Sequence, residues 1–391
     1  MRWTVEMGRV RSVPVEIHWL FLLLFLWAAI QGWDRGGLTG ALSTAGLLAL
    51  IFACVLVHEI GHTVQAQALG IPVRRIVLLP VGGLAQLAYM PEQPRDELRV
   101  ALAGPAVNFG LTLVLGGLAW TWLLAGGEGA PLNMTLQLGL RAAPPTVFST
   151  LVYLAFANLG ILLFNLLPAF PMDGARILRS LLAFYLPRPA ATRIVTWLGW
   201  LLGVALLAIG LGAARRWGAP AALGLLFVGV TAVFASSAED STEKSQRALR
   251  GISARAAVRQ PTWFLSPTDL LSPALATCVA TVGQSVLPVA VNGRVVGVLS
   301  QADLLAALKR FGETSVAHVM QTKFPYVGAD EDLWQAQQLI AGAGVSALPV
   351  LDGGSLHGVL TAADIRAAYF EPPSPLRAEA PQLIPATRSN L

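Results

Sequence analysis

Six apolar runs punctuate the first 236 residues, at about 18–33, 43–69, 98–125, 147–170, 194–213 and 219–236. Each is long enough to cross, or nearly cross, a hydrocarbon core of about 30 Å. They predict a polytopic α-helical membrane domain of six transmembrane helices over residues 1–237. Between Ser236 and Arg250 the chain turns rich in Ser, Glu and Lys, and we read 238–250 as a linker. Beyond it the pattern changes to short β-branched strands alternating with short helices, so a soluble α/β domain follows. That domain repeats itself. Leu287–Ala307 reads LPVAVNGRVVGVLSQADLLAA and Leu348–Ala368 reads LPVLDGGSLHGVLTAADIRAA, offset by 61 residues, with hairpin chemistry at Asn292-Gly293 and Gly353-Gly354. One such unit has too little apolar surface for a stable core, so 251–310 and 311–370 are expected to pack as a pseudo-symmetric pair. Residues 371–391 carry Pro372, Pro373, Pro375, Pro381 and Pro385 and are expected to be disordered.

Composition agrees with this division. The 391 residues are 55% hydrophobic and 13% charged, with a mean hydropathy of +0.62, which excludes an ordinary cytosolic enzyme. Before residue 237 there are fifteen Arg, no Lys and nine acidic residues, a net of +6; after it the net is −1. The pI of about 9.6 does not point to nucleic acid, because the Arg residues sit in short loops rather than on one helix face or in a tail. With six spans both termini share a side. Loops on that side would carry Arg2, Arg9, Arg11, Arg74, Arg75, Arg95, Arg99, Arg176, Arg179, Arg188 and Arg193, against Arg35, Arg141, Arg215 and Arg216 opposite. Eleven against four predicts a multi-pass plasma-membrane protein with cytosolic N- and C-termini. Arg215 and Arg216 dissent, and fit a tight hairpin whose Arg side chains snorkel. The first run reads as a retained span rather than a signal peptide. Cys54 and Cys278 fall in different parts, so no disulfide framework is implied.

The second run contains His58-Glu59-Ile60-Gly61-His62. On a helix, His58 and His62 at i and i+4 share a face and can share one tetrahedral Zn²⁺, with Glu59 beside them where an activated water would sit. Random placement of five His and twelve Glu yields roughly one such match in 500 chains of this composition. Polar groups inside an apolar span are also costly unless they line a cavity or bind something; the alternative is a satisfied polar cluster between helices. A zinc hydrolase takes a third protein ligand and leaves the fourth position open. Of the nine early carboxylates, seven fall in the tail or in loops, which leaves, beside Glu59, only Asp173 in Asn165-Leu166-Leu167-Pro168-Ala169-Phe170-Pro171-Met172-Asp173-Gly174. Prolines break the helix there, and non-helical backbone at membrane depth is tolerated where it lines a cavity. The other reading of Asp173 is a cap on the next helix. Cys54, one turn before His58, would close the open position if it bound metal, and is read as packing. His18 is read as an interfacial side chain with a polar tip.

These residues resemble the site-2 proteases, intramembrane zinc metalloproteases, in the branch carrying a pair of cystathionine-β-synthase (CBS) domains. The resemblance covers nearly the whole chain: HEIGH at 58–62, GPAVNF at 104–109, NLLPAFPMDG at 165–174, and the CBS pair. It implies one Zn²⁺ per chain held by His58, His62 and Asp173, Glu59 as catalytic acid/base, and Asn108 facing the site to steady the substrate carbonyl or the developing oxyanion. Ala175 stands where many relatives have a second Gly.

The chemistry such residues support is metal-assisted peptide hydrolysis, the cation acidifying water toward a pKa of about 7 and Glu59 moving the proton to the leaving amine. A scissile helix must unwind locally, so substrates with helix-breaking residues are expected. In the family a segment like Val73–Leu87 forms a hairpin dipping toward the site, and its edge is expected to pair with the unwound substrate, with Val81 and Leu84 as the test positions. The resemblance also implies adenine nucleotide, ATP, ADP or AMP, at Ser300 with Asp303 and Thr361 with Asp364; ordinary helix capping by Ser300 and Thr361 is the alternative. The expected partners are a single-span membrane substrate such as an anti-sigma factor or a membrane-tethered transcription factor, the lipid bilayer, and a second copy through the CBS domains. Two other classes compete: a CBS-regulated transporter, disfavoured because the six runs show no internal repeat, and a zinc scaffold without proteolysis, disfavoured because Glu59 is intact.

Overall fold

The computed structural model describes residues 4–80, 82–91, 93–127, 146–217, 219–258, 262–280, 286–371 and 383–385. The chain divides into two compact units, Met1–Asp240 and Ser241–Leu391.

The first unit opens with a hairpin that the sequence pattern did not suggest. Strands β1 (Thr4–Val10) and β2 (Val13–His18) turn at Arg11 and Ser12, both at positive φ. Helix α1 (Trp19–Ala68) follows, with the His18 Nδ1 accepting from the Leu20 N–H at its start; His18 is thus a cap. Gly36 and Gly37, the latter at φ 57°, break α1 into two helices. Five helical stretches of the described residues are long and apolar enough to cross a membrane: Gly36–Ala68, Pro94–Leu124, Val147–Asn165, Arg188–Arg216 and Ala222–Leu249. The sixth expected span, Trp19–Asp34, is apolar but shorter, reaching about 24 Å at about 1.5 Å per residue. Outward-facing Leu22, Trp27, Leu113, Trp197 and Phe234 are all more than half exposed, the pattern of helices whose apolar surface meets lipid rather than water.

Between α1 and α2 (Pro94–Leu124) lie β3 (Val73–Leu79) and β4 (Gly82–Leu87), completing a sheet of order β1-β2-β3-β4. The pairing of β2 with β3 is parallel, that of β3 with β4 antiparallel, with Ile76 opposite Ala85 and Leu78 opposite Gly83. Val13, Val15 and Ile76 pack with Leu56 and Ile60 of α1, which seats the sheet against the turn of helix carrying His58 and Glu59. β4 is the outer strand on that side.

Helix α3 (Val147–Asn165) ends ahead of Pro168 and Pro171, and an irregular turn leads to the short helix α4 (Asp173–Leu182). The Phe170–Pro171 peptide is cis. A Cβ on Gly174 would collide with the Leu166 and Leu167 carbonyls, so this turn closes only around glycine. Helices α5 (Arg188–Trp217) and α6 (Ala219–Leu249) follow. The expected 238–250 linker is helical through Leu249: Ala, Glu, Lys, Gln and Arg are strong helix formers, so the polar stretch marks a change of surroundings, not of backbone.

In the second unit the two repeats form one sheet, ordered β6 (Val286–Val291), β7 (Arg294–Ser300), β10 (Ser355–Thr361), β9 (Ala347–Asp352) and β8 (Val327–Gly328). The two hairpins turn at Asn292-Gly293 and Gly353-Gly354, all four at positive φ, as two-residue connections require. Each repeat has its own core, and the cores correspond at the 61-residue offset: Leu287, Val289, Leu299 and Leu304 in one, Leu348, Val350, Leu360 and Ile365 in the other. The boundary between repeats is less tidy than the sequence suggests. Helix α7 (Ala254–Ala257) belongs by position to the first repeat, yet Ala254 and Ala257 lie in the second core. The tail expected to be disordered contributes strand β11 (Leu383–Pro385), parallel to β5 (Thr262–Phe264); 372–382 and 386–391 lie outside the described residues.

Candidate metal centre

Helical spacing places the imidazoles of His58 and His62 on one face of α1, and the proline-broken turn after α3 delivers Asp173 to them as the first residue of α4. All three are buried, at 4%, 7% and 8% exposure. The His58 and His62 Nε2 atoms are 3.1 Å apart, and Asp173 Oδ2 lies 3.2 Å from the first and 3.1 Å from the second. Tetrahedral zinc, with ligand bonds of about 2.0–2.1 Å, separates its ligand atoms by about 3.3 Å. The triangle therefore fits that ion.

Hydrogen bonding on the far side of each ring agrees. His62 Nδ1 lies 2.7 Å from the Val100 carbonyl oxygen, an atom that only accepts, so Nδ1 carries the proton and Nε2 presents a lone pair. His58 Nδ1 bonds the Oδ1 of Asn108, whose amide nitrogen donates to Asn158 Oδ1 at 2.9 Å. Two lone pairs and a carboxylate oxygen converging in a buried site is an arrangement that a cation stabilises and its absence does not. Among the described residues these are the only three His, Cys, Asp or Glu side chains so grouped. Cys54, half-buried, stays outside the group, as expected of a packing residue.

Space at the centre is set by two glycines. A Cβ on Gly104 of α2 would fall on the ring nitrogens of both His62 and His58, and one on Gly83 of β4 would fall on the Glu59 side chain. Glu59 points to β4, where its Oε2 accepts the Ala85 N–H at 2.9 Å.

Asn108 of α2 reaches His58. It is fully buried, with its oxygen on His58 and its nitrogen on Asn158. These two bonds orient His58, and they use one of the two N–H donors of the Asn108 amide. Asn158 went unnoticed in the sequence; a buried Asn in an apolar run was the signal available. Glu97, assigned to a loop, is 2% exposed in the first turn of α2 and pairs with Arg179 of α4, itself 1% exposed. Arg179 also pairs with Glu239 of α6, and Arg188 of α5 reaches Glu97 at 3.4 Å.

The four residues expected at a nucleotide site form capping boxes. Ser300 Oγ accepts the Asp303 N–H while Asp303 accepts the Ser300 N–H, at the start of α8 (Gln301–Phe311); Thr361 and Asp364 do the same for α9 (Ala362–Phe370). Val81, one of the expected substrate-pairing positions, lies outside the described residues; Leu84 sits in β4 opposite Val77.

Residues 46–210 match Peptidase family M50 and residues 316–371 match the CBS domain. Zinc metalloprotease MJ0392 of Methanocaldococcus jannaschii is 26% identical over 365 residues, spanning 93% of this chain and 96% of that protein. Stage IV sporulation protein FB of Bacillus subtilis is 32% identical over 183 residues, 45% of this chain and 54% of that one. Among solved structures, the site-2 protease from Methanocaldococcus jannaschii covers 61% of this chain and 95% of its own at 28% identity, with a TM-score of 0.43. The sequence matches, together with the long apolar helices, make this a multi-pass membrane protein of the zinc metalloprotease kind, with a peptidase family M50 segment at 46–210 and a CBS segment at 316–371.

Proposed function

We propose that this protein hydrolyses a peptide bond within or near a transmembrane segment of a membrane-tethered regulatory protein, such as an anti-sigma factor or transcription factor. The observation that carries the proposal is the triangle of His58 Nε2, His62 Nε2 and Asp173 Oδ2, buried in a span-forming helix with Glu59 beside it. His58, His62 and Asp173 would hold one Zn²⁺. Zinc, when bound, supplies Lewis acidity toward the scissile carbonyl and the attacking water. Glu59 takes the proton from that water and delivers one to the leaving amine. Asn108 holds His58 in place.

The outer strand β4 supports a docking mode. Its backbone borders Glu59, and an extended substrate added to this edge would be held by main-chain bonds beside the acid/base. Substrate segments that leave the helical state readily, through Gly, Pro or Asn, are then the preferred ones. The CBS pair would tune activity by binding ATP, ADP or AMP near the Ser300–Asp303 and Thr361–Asp364 helix starts, competing with the capping bonds described above, and would offer a surface for dimerisation. The Arg distribution supports cytosolic termini in the plasma membrane.

The test is zinc content and cleavage of a model single-span substrate in detergent, for wild type and Glu59→Gln, each with and without ATP. Zinc in both proteins with cleavage in wild type alone is expected, with a rate that changes on adding ATP. Cleavage by Glu59→Gln at the wild-type rate, or a wild type that binds no zinc, overturns the reading; a rate indifferent to ATP, ADP and AMP removes the nucleotide part only.

A further inference from the structure

Asn158 of α3 is fully buried and lies two residues removed, through hydrogen bonds, from the metal-facing atoms. Its neighbours settle which way its amide points. The amide nitrogen lies 2.8 Å from the Leu154 carbonyl oxygen, an atom that can only accept. Nδ2 must therefore face Leu154, and Oδ1 faces Asn108. An amide oxygen is satisfied only by a donor, so Asn108 presents its Nδ2 to Asn158, at 2.9 Å, and turns its own Oδ1 to His58. Oδ1 can be satisfied there only by a protonated Nδ1. Each step leaves one option, and the last leaves the His58 Nε2 as a lone pair aimed at His62 Nε2 and Asp173 Oδ2.

We infer that Asn158 is a positioning residue: through Asn108 it fixes the His58 tautomer and thereby the metal affinity of the centre. The alternative orientation of Asn108, nitrogen toward His58, would accommodate the opposite tautomer, with the proton on the nitrogen that faces Asp173. Without Asn158 the Asn108 amide is free to turn, and the Asp173 oxygen 3.2 Å from Nε2 then draws the proton toward that nitrogen. His62 is a control built into the same site, because the Val100 carbonyl sets its tautomer independently of the relay. The metal-affinity arm rests on reading His58 as a ligand; the tautomer arm does not, since it is read without metal.

The experiment uses the full chain in detergent with ¹⁵N-labelled histidine. Imidazole nitrogen shifts of the metal-free protein give the tautomer of each ring, and competition with a chelator gives zinc affinity. Wild type is expected to show Nδ1–H on both rings. In Asn158→Leu the His58 ring becomes a tautomer mixture while His62 is unchanged, and zinc affinity falls by about 10–100-fold. Asn108→Ala falls by a similar factor and Asn108→Ala/Asn158→Leu no further, as expected of residues acting in series. Asn158→Asp keeps an acceptor facing Asn108 and retains the His58 tautomer. A His58 tautomer and zinc affinity unchanged in Asn158→Leu, or losses that add in the double variant, overturn the inference. If both rings change in Asn158→Leu, Asn158→Asp decides: an intact His58 tautomer upholds the relay, and its loss there overturns it. A wild type that shows the tautomers but binds no zinc instead removes the metal reading and leaves the relay standing.

Discussion

The Ala85 N–H and the Glu59 carboxylate are joined by a 2.9 Å hydrogen bond, so the acid/base of the centre is tethered to the backbone of an outer strand. Two residues earlier in that strand, a side chain on Gly83 would occupy the space of the Glu59 Cγ and carboxylate. Gly83→Val is therefore expected to lower the rate of cleavage at least 10-fold while zinc content stays at wild type, because the glutamate moves and the three ligands do not. Zinc analysis beside a cleavage assay checks this; a full rate in Gly83→Val would show that Glu59 needs no such space.

Arg179 links the helix that begins with Asp173 to Glu97 and Glu239. Removing one partner from a buried ion cluster leaves an uncompensated charge and costs about 3–5 kcal/mol. Arg179→Met should lower the thermal midpoint of the detergent-solubilised protein by several degrees, and Arg179→Met/Glu97→Leu should recover a large part of the loss. No recovery in the double variant would mean that Arg179 acts through its packing rather than its charge.

For the capping boxes, Ser300→Ala and Thr361→Ala should each cost about 1 kcal/mol of stability in the second unit, read by urea unfolding. A loss within error in both would mean that the reciprocal bonds add nothing to the fold.

Stability of the second unit should also depend on pH through His357. This residue of β10 is 8% exposed and its Nε2 has no hydrogen-bond partner. Burial, followed by the Arg255 guanidinium, pushes its imidazole below the ordinary value, although Asp352 and Asp330 pull the other way. A lowered folded pKa means that the unfolded chain takes up the proton first. The contribution is present above about pH 6.5 and is lost as pH falls from there toward the folded value. The unfolding free energy should decrease over that window, and His357→Gln should flatten the decrease. An identical slope in the variant would assign the effect to other groups.

The sequence made the repeat, its hairpin turns and the three donor residues legible, because each depends on local patterns: a 61-residue period, Asn-Gly and Gly-Gly turns, and i,i+4 spacing with one carboxylate left in the apolar segments. What it concealed depends on contacts between distant elements. Glu97 looks like a loop carboxylate until Arg179, 82 residues away, is seen against it. The resemblance gives Asn108 a substrate oxygen to steady, while its bond to Asn158, 50 residues further on, is a contact the sequence does not show. Hairpin β1–β2 escaped because its turn, Arg11-Ser12 at positive φ, lacks the usual Gly or Asn, and β2 gains its structure from pairing with the distant β3. The end of helix α6, from 238 to 249, reads as a linker because its polarity suggests irregular backbone, although its residues are strong helix formers.

The 61-residue correspondence between the two repeats breaks at several positions, and at one of them a buried His stands against an apolar residue. Where the second repeat has His357, the first has Val296, which is 36% exposed. Duplication supplied two nearly equivalent half-modules, and this divergence gives only one of the two aligned segments a buried imidazole. A drop in pH consequently does not act on the two hairpins symmetrically: it loads a buried position in one that its twin lacks, so an acid shift imposes a difference between two parts of a sheet that are otherwise built alike.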